Sequence, residues 1–282
     1  MHWAGTIVGV ALLVALPSFA APQPRIASLN VCTDQLLLSL ADPGQIIGLS
    51  PYARDDWVSW ASGEAPKFPV LSGGAEDILM LKPDVVVASL LDKRSTRELL
   101  RQNGMHLAEF AVPRTMDEVK AQIRQMGEIT GHVDRANALV KRFDAVVQRA
   151  RGVIAGRGKR VLPLSRRGWV SGRTSLVGAL LQEVGLYNAA DELGMGDGGF
   201  VSLEAVIALK PDLLLMSQEG DRAEDQGRAF VLHPALEKLY PLDKRLVIPE
   251  RLTVCGGMTL IEALKVLSTW VRCADTLGDL AN

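Results

Sequence analysis

The sequence predicts an α/β protein of two similar lobes, each with a mainly parallel sheet, joined by one long rigid helix. Two observations predict this fold. A short helix followed by a buried strand occurs twice in the chain, with similar amino-acid sequences. Between the two copies runs an amphipathic helix, and no Gly/Ser-rich linker interrupts it.

The repeat reads Glu-Asp-Ile-Leu-Met-Leu-Lys-Pro-Asp at residues 76–84 and Glu-Ala-Val-Ile-Ala-Leu-Lys-Pro-Asp at residues 204–212. Five of the nine positions are identical, at an offset of 128 (204 minus 76). Pro83 and Pro211 end each helix, because proline lacks the amide hydrogen and clashes with the preceding turn. The apolar runs that follow predict strands buried on both faces, as in parallel sheets.

The other elements follow from short apolar runs and the residues that end them. Asn103-Gly104 and Gly185 are typical of helix C-termini. We predict strands at residues 25–29, 46–49, 160–164 and 246–248, and helices at residues 34–40, 94–102 and 175–184.

A helical connection joins the two copies. Thr115 and Glu118 form a capping box for one helix, which we expect to end at Gly131. A second helix follows at about residues 134–153, and its length of roughly 30 Å predicts a rigid strut and small lobe motions. The predicted domains are an N-terminal lobe at residues 22–131, a connecting helix at 132–155 and a C-terminal lobe at 156–282.

Residues 1–21 are typical of a secretory signal peptide. The apolar run at residues 7–16 is too short to span a bilayer, and small residues follow Pro17. The segment has no Lys or Arg before the apolar run, so a retained N-terminal anchor stays open as an alternative. The expected location is the periplasm.

The chain has three cysteines, Cys32, Cys255 and Cys273. An odd number leaves at least one thiol unpaired or paired between chains. Cys32 and Cys255 both lie in predicted loops, so a disulfide between them is one interpretation, and buried free thiols are the other.

Several functional classes are disfavoured. The formal net charge of -1 indicates no nucleic-acid partner. The four histidines are widely separated and form no metal-ligand spacing, so we expect no metal site and no cofactor. No nucleophile elbow or phosphate loop follows a strand, and we therefore assign no catalytic residue.

Together these segments resemble the periplasmic binding proteins for vitamin B12 and iron complexes. The resemblance rests on residues 25–30, 47–52, 168–172 and 198–204 and on both copies of the repeat. It implies a class III periplasmic binding protein-like fold, with a shallow cleft between two lobes. It also implies a monomer that delivers its ligand to an inner-membrane ABC permease and its ATPase.

The same resemblance implies that Glu76 and Glu204 dock on the permease, one from each lobe. A purely structural interpretation is also available, because an acidic residue in the first turn of a helix is favoured by about 0.3–1 kcal/mol. Two equivalent carboxylates suit a partner with two related subunits, which favours the docking role.

Ligands of open α/β sheets bind beyond the carboxyl ends of the strands. Aromatic rings there would cover apolar faces of a ligand, and guanidinium groups would bind anionic oxygens. The predicted ligand-binding residues are Tyr52, Arg54, Arg166, Trp169, Phe200 and Arg251.

This chemistry favours a bulky iron complex, either a ferric siderophore or haem. A corrinoid ligand is the alternative, although the chain has few tryptophans at the expected positions. Haem binding usually needs a Tyr or His ligand to the iron, and Tyr52 is the candidate. An exported enzyme and a ligand sensor built on the same fold are the more remote alternatives.

Overall fold

The computed structural model describes residues 23–154, 158–217 and 226–279. The predicted signal peptide lies outside the described residues, and so does the side chain of Cys273. Within the described part of the chain, no helix is long and apolar enough to cross a membrane.

The first half of the chain forms a four-stranded, fully parallel sheet with the strand order β2-β1-β3-β4. Its elements are β1 (Ile26–Ser28), α1 (Val31–Leu40), β2 (Ile46–Gly48), α2 (Ala75–Leu81), β3 (Val85–Ser89), α3 (Arg94–Gln102) and β4 (Leu107–Phe110). Two long helices then follow, α4 (Met116–Thr130) and α5 (Val133–Ile154).

The second half forms a six-stranded sheet with the order β10-β9-β5-β6-β8, and β7 pairs with β5. Its strands are β5 (Arg160–Leu164), β6 (Trp169–Val170), β7 (Tyr187–Asn188), β8 (Gly199–Phe200), β9 (Leu213–Ser217) and β10 (Arg245–Ile248). Its helices are α6 (Leu176–Glu183), α7 (Leu203–Leu209), α8 (Gln226–Val231), α9 (Pro234–Leu239) and α10 (Met258–Asp279). Only the β5–β6 and β6–β8 pairs are antiparallel among the described strands.

Successive residues of each central strand belong to different hydrophobic clusters. Val85 and Val87 of β3 join one cluster, and Val86 joins another. In β9, Leu213 joins the same cluster as Val85, whereas Leu214 joins a third. Because side chains alternate across a strand, each sheet has its own outer core, and the inner faces of both sheets share one core.

Helices α1, α4, α5, α6 and α10 fill the shared core. The buried side chains of α5 lie at helical spacing, and they are Ala136, Leu139, Val140, Phe143, Val146, Val147 and Ala150. The α5 helix therefore packs along its length against neighbours, principally α4 and α10.

The repeated motif ends in the same backbone conformation and makes the same hydrogen bond to the neighbouring strand in both halves, an arrangement here called the backbone lock. Lys82 and Lys210 each end a seven-residue helix in the left-handed conformation, at φ 47° and 48°. Asp84 Oδ2 then accepts a 2.7 Å hydrogen bond from the amide of Arg25, at the start of the neighbouring strand. Asp212 makes the same 2.7 Å bond with the amide of Arg160.

Arg25 and Arg160 also bond to the last carbonyl groups of the helix in the repeated motif. Arg25 donates to the carbonyls of Leu81 and Lys82, at 3.1 and 3.2 Å. Arg160 donates to the carbonyls of Leu209 and Lys210, at 3.0 and 2.8 Å. A cation that bonds the last carbonyls of a helix is favourable, so the Leu-Lys-Pro-Asp sequence is explained by folding.

A disulfide joins distant parts of the chain. Cys32, at the start of α1, is bonded to Cys255, which precedes α10, across a sequence separation of 223 residues. The disulfide interpretation of these two cysteines is therefore the one that the structure bears out. The bond attaches the segment after β10 to the first sheet.

The predicted α/β class with mainly parallel sheets is confirmed. The capping box of α4 forms as predicted, since Thr115 accepts from the Glu118 amide, and the helix ends at Gly131 with φ 75°. Strand β4, the two-residue strands and the long helix α10 were not predicted from the sequence.

Removing the disulfide should lower the stability of the protein. In a Cys32→Ser/Cys255→Ser double variant, we expect the free energy of unfolding to fall by about 2–5 kcal/mol, because the reduced unfolded chain is less constrained. Urea denaturation of the oxidised proteins measures the change, with Cys273→Ser as the matched control. Equal unfolding midpoints for the double variant and the native chain would contradict the prediction.

Candidate functional site

The parallel strands bring polar and aromatic residues to one edge of each sheet. In the first sheet, β1 leads into α1, and β3 and β4 end at Ser89 and Phe110. In the second sheet, β9 and β10 end at Ser217 and Ile248. These carboxyl edges are where open α/β sheets bind ligands.

One segment of the chain lies between the two carboxyl edges. Residues 249–257, here called the crossing segment, connect β10 to α10. Thr253 lines a cavity of about 40 Å³ with Ser165 and Ser217 of the second sheet. The next residue, Val254, lines a cavity of about 170 Å³ with Ser89 of the first sheet. The carboxyl edges of the two sheets therefore both border this segment.

The crossing segment is fixed to the first half by several contacts. In addition to the disulfide, Arg251 Nη1 donates to the carbonyl of Asp56 at 3.1 Å. The buried Gln35 donates to Cys255 Sγ at 3.5 Å. Gly256 packs so closely that a Cβ there would lie 2.9 Å from a methyl group of Val119.

Trp169 and Phe200 form an aromatic pair on the second sheet. They face each other across the β6–β8 pair, with ring centroids 5.0 Å apart in an edge-to-face arrangement. Phe200 is 64% exposed, so a large apolar surface is open to solvent beside the carboxyl end of β5. The structure thus brings two of the predicted ligand-binding residues into contact.

Tyr52 and Arg54 lie on the loop that follows β2. Tyr52 is 56% exposed. Arg54 is also exposed, and its Nη2 donates to the carbonyl of Phe68 at 3.1 Å. Arginine has five N–H donors in a fixed fork, so this bond leaves the guanidinium further donors.

Arg166 lies in the turn after β5, on the carboxyl edge of the second sheet. It is partly buried, whereas its neighbour Arg167 is exposed and has a positive φ of 59°. The two adjacent side chains are therefore held in different environments, and the turn leads directly into Trp169.

A buried carboxylate that was not predicted to have a role holds the Tyr52 loop. Asp34 of α1 accepts from both the amide and the hydroxyl of Ser50, at 3.0 and 2.5 Å. Ser50 Oγ in turn accepts from the Tyr52 amide at 3.3 Å. Burial is the main cause that raises the pKa of Asp34, from 3.8 to about 6, and the charge of Asp92 contributes in the same direction.

Glu76 and Glu204 lie in the first turns of α2 and α7. Both carboxylates are exposed. Each helix ends where the following strand begins, so its first turn points towards the carboxyl edge of its own sheet. The hydrogen bond from its own amide is the main cause that lowers the pKa of Glu204, and Ser202 and His233 contribute.

Exposed apolar residues at the carboxyl edge of the first sheet were missed from the sequence. Leu91 follows β3 and is 77% exposed, Val112 follows β4, and Val254 lies on the crossing segment. The positions after each predicted strand end could have indicated Leu91, whereas Val112 required β4, which was not predicted.

Another groove lies away from the carboxyl edges. It has a volume of about 440 Å³ and is lined by Trp60, Leu139 of α5 and Met258 of α10. Trp60 therefore lies in the groove beside α5. Among the described residues, no group of three or more His, Cys, Asp or Glu side chains is placed to hold a metal ion.

The chain matches the model of a known protein family. The model of a family described as periplasmic binding protein matches residues 26–239. This range includes both copies of the repeat.

Curated relatives and solved structures agree with that match. A cobalamin-binding protein of Halobacterium salinarum is 24% identical over 218 residues, which cover 73% of this chain and 57% of the relative. The chain thus spans just over half the length of that relative.

Among solved structures, the apo periplasmic haem-binding protein of Roseiflexus sp. RS-1 has a TM-score of 0.71 at 23% identity, covering 90% of this chain and 99% of that one. The periplasmic vitamin B12-binding protein of Vibrio cholerae has a TM-score of 0.68 at 18% identity, covering 90% and 98%. At these identities, the likeness shows the fold.

The buried Asp34 predicts a pH dependence of stability. Its folded-state pKa lies above its ordinary value, so the folded protein retains a proton that the unfolded chain has lost between about pH 4 and 6. This group should therefore lower the free energy of unfolding by about 3 kcal/mol as the pH rises through that window.

An Asp34→Asn variant should lack this component, which urea denaturation at pH 4 and pH 7 would measure. The control is Asp117→Asn, because Lys120 lowers the pKa of Asp117 and its contribution therefore has the opposite sign. An unchanged difference in stability between pH 4 and pH 7 in Asp34→Asn would contradict the prediction.

Proposed function

The chain belongs to the periplasmic binding protein family, and from this premise we propose that it captures a bulky iron complex and delivers it to an ABC permease. The ligand is a ferric siderophore or haem, held between two lobes at residues 22–131 and 156–282. The chain acts as a carrier without catalytic activity, in the periplasm, as a monomer. Its partners are the permease and the ATPase of the importer.

The observation that carries the proposal is the meeting of two carboxyl edges at the crossing segment. Thr253 and Val254 are consecutive residues, yet each borders a cavity of a different sheet. A ligand bound there would contact both halves of the chain at once, as a capture protein requires.

The side chains around this position suit a chelate with apolar faces and anionic oxygens. The Trp169–Phe200 pair offers an exposed aromatic surface of the second sheet. Arg54 and Arg251 each donate one N–H to a backbone carbonyl. Because these bonds fix the guanidinium groups, less side-chain entropy is lost when their other N–H groups bind an anionic ligand.

Glu76 and Glu204 are proposed to dock on the permease. Each carboxylate is exposed at the start of a helix whose end is locked in the same geometry. Equivalent positions in two copies of one motif would present two similar charges to a partner built from two related subunits.

A corrinoid ligand is the second candidate. The observation in its favour is the curated relative, which is a cobalamin-binding protein. The same aromatic surface could cover the flat face of a corrinoid, so binding measurements must separate the two ligand classes.

Ligand titration tests the capture role. We expect one ferric hydroxamate, ferric catecholate or haemin to bind at 1:1 stoichiometry, with quenching of tryptophan fluorescence. Phe200→Ala should weaken that binding at least about tenfold, because the truncation removes the exposed ring. Tyr187→Ala is the matched control, since Tyr187 is exposed at the amino end of β5 in the same sheet.

Two outcomes of the titration would reject the iron-complex proposal. Tight binding of cyanocobalamin alone would favour the corrinoid candidate. Turnover of a bound ligand would reject the carrier role itself.

Charge reversal tests the docking role. Glu76→Lys and Glu204→Lys should each weaken binding to the cognate permease–ATPase complex in nanodiscs about tenfold, because like charges would then oppose at the contact. Ligand affinity should not change. Asp117→Lys, at another exposed helix start, is the control. Unchanged permease binding by the Glu76→Lys/Glu204→Lys double variant would refute the docking role.

A further inference from the structure

The 170 Å³ cavity beside the disulfide lies outside the set of predicted ligand-binding residues. Its walls come from three strand ends of the first sheet, from Gln122 of α4 and from the crossing segment. Leu36 and Phe110 are buried in its walls, whereas Leu91, Val112 and Val254 are exposed. The cavity therefore has a mainly apolar lining and an open mouth.

No residue that lines this cavity carries a charge. Its polar side chains already bond to the protein. Asn30 bonds to Asp92 and to the Cys32 amide, Thr33 donates to the Asn30 carbonyl, and Gln122 donates to the Ala111 carbonyl. Ser89 Oγ accepts from the Leu91 amide. An occupant would consequently gain mainly apolar contact.

Because of the disulfide, both halves of the chain contribute walls to the cavity. Cys32 belongs to its lining, and the bonded Cys255 holds Val254 and Gly256 against it. Without this link, one wall would depend on the noncovalent contacts of the crossing segment alone. The cavity adjoins the position proposed for the ligand, because Thr253 lies between it and the second sheet.

We propose that this cavity is a subsite for an apolar substituent of the captured chelate. A cavity of about 150 Å³ with an apolar lining holds one benzene molecule, so the 170 Å³ here fits a group of roughly six carbon atoms. The subsite rests on the proposed function, and it would distinguish chelates by their apolar arms, while the arginines contact their anionic oxygens.

Xenon tests the apolar character of the cavity directly. Crystals of the oxidised, full mature chain under xenon pressure should show a xenon atom in contact with Leu36 and Phe110. Crystals of the complex with haemin, cyanocobalamin or ferrichrome, whichever binds, should lack that atom because the substituent occupies its place. A chelate and a xenon atom bound together would overturn the subsite.

Binding constants test its contribution to affinity. Leu91→Trp replaces an aliphatic side chain at the mouth by a bulkier indole ring and should weaken binding of the same chelate at least tenfold. Val112→Phe should act in the same direction. Leu90→Trp is the matched control, because Leu90 is exposed and adjacent but does not line the cavity. It should stay within twofold of the native chain.

The failures of the two proposals are distinguishable. If no ferric hydroxamate, ferric catecholate, haemin or cyanocobalamin binds the native chain, the proposed function fails and the subsite fails with it. If a chelate binds Leu91→Trp and the native chain equally well, only the subsite fails.

Discussion

One continuous layer of helices covers the inner face of both sheets, with Phe143 of α5 among its fully buried side chains. Since side chains of each strand alternate between this layer and a separate outer core, neither sheet can move without disturbing the shared packing. The long helix is therefore part of the core of both halves. The disulfide between Cys32 and Cys255 adds a covalent link on the side of the carboxyl edges.

The amino and carboxyl ends of the strands have different roles. At the amino ends, the Leu-Lys-Pro-Asp motif, Arg25 and Arg160 form the same lock twice. At the carboxyl ends the two halves differ, with an aromatic pair on one sheet and an apolar cavity on the other. The strongest repeat in the sequence thus stabilises the fold, and the candidate binding surface lies in the segments that are not repeated.

Polar groups near the candidate site are mostly fixed by the protein itself. Asp34 holds Ser50 and, through it, the loop of Tyr52. Arg251 holds the crossing segment to the Asp56 carbonyl. Such bonds limit the side-chain freedom that would be lost on binding, which favours a cleft formed before the ligand arrives.

The sequence by itself determined the α/β class, most of the central strands and the helices around the repeat. These elements depend on local signals, namely apolar runs, Pro83 and Pro211, and the capping box of α4. It also indicated Trp169 and Phe200 as cleft candidates, but their contact depends on the pairing of β6 with β8.

Only the tertiary structure decided which distant segments meet. The pairing of Cys32 with Cys255, the position of the crossing segment and the burial of Asp34 join residues far apart in the chain. Composition and periodicity report neighbours within a few residues, whereas these contacts are set by how two sheets pack on one shared helical layer.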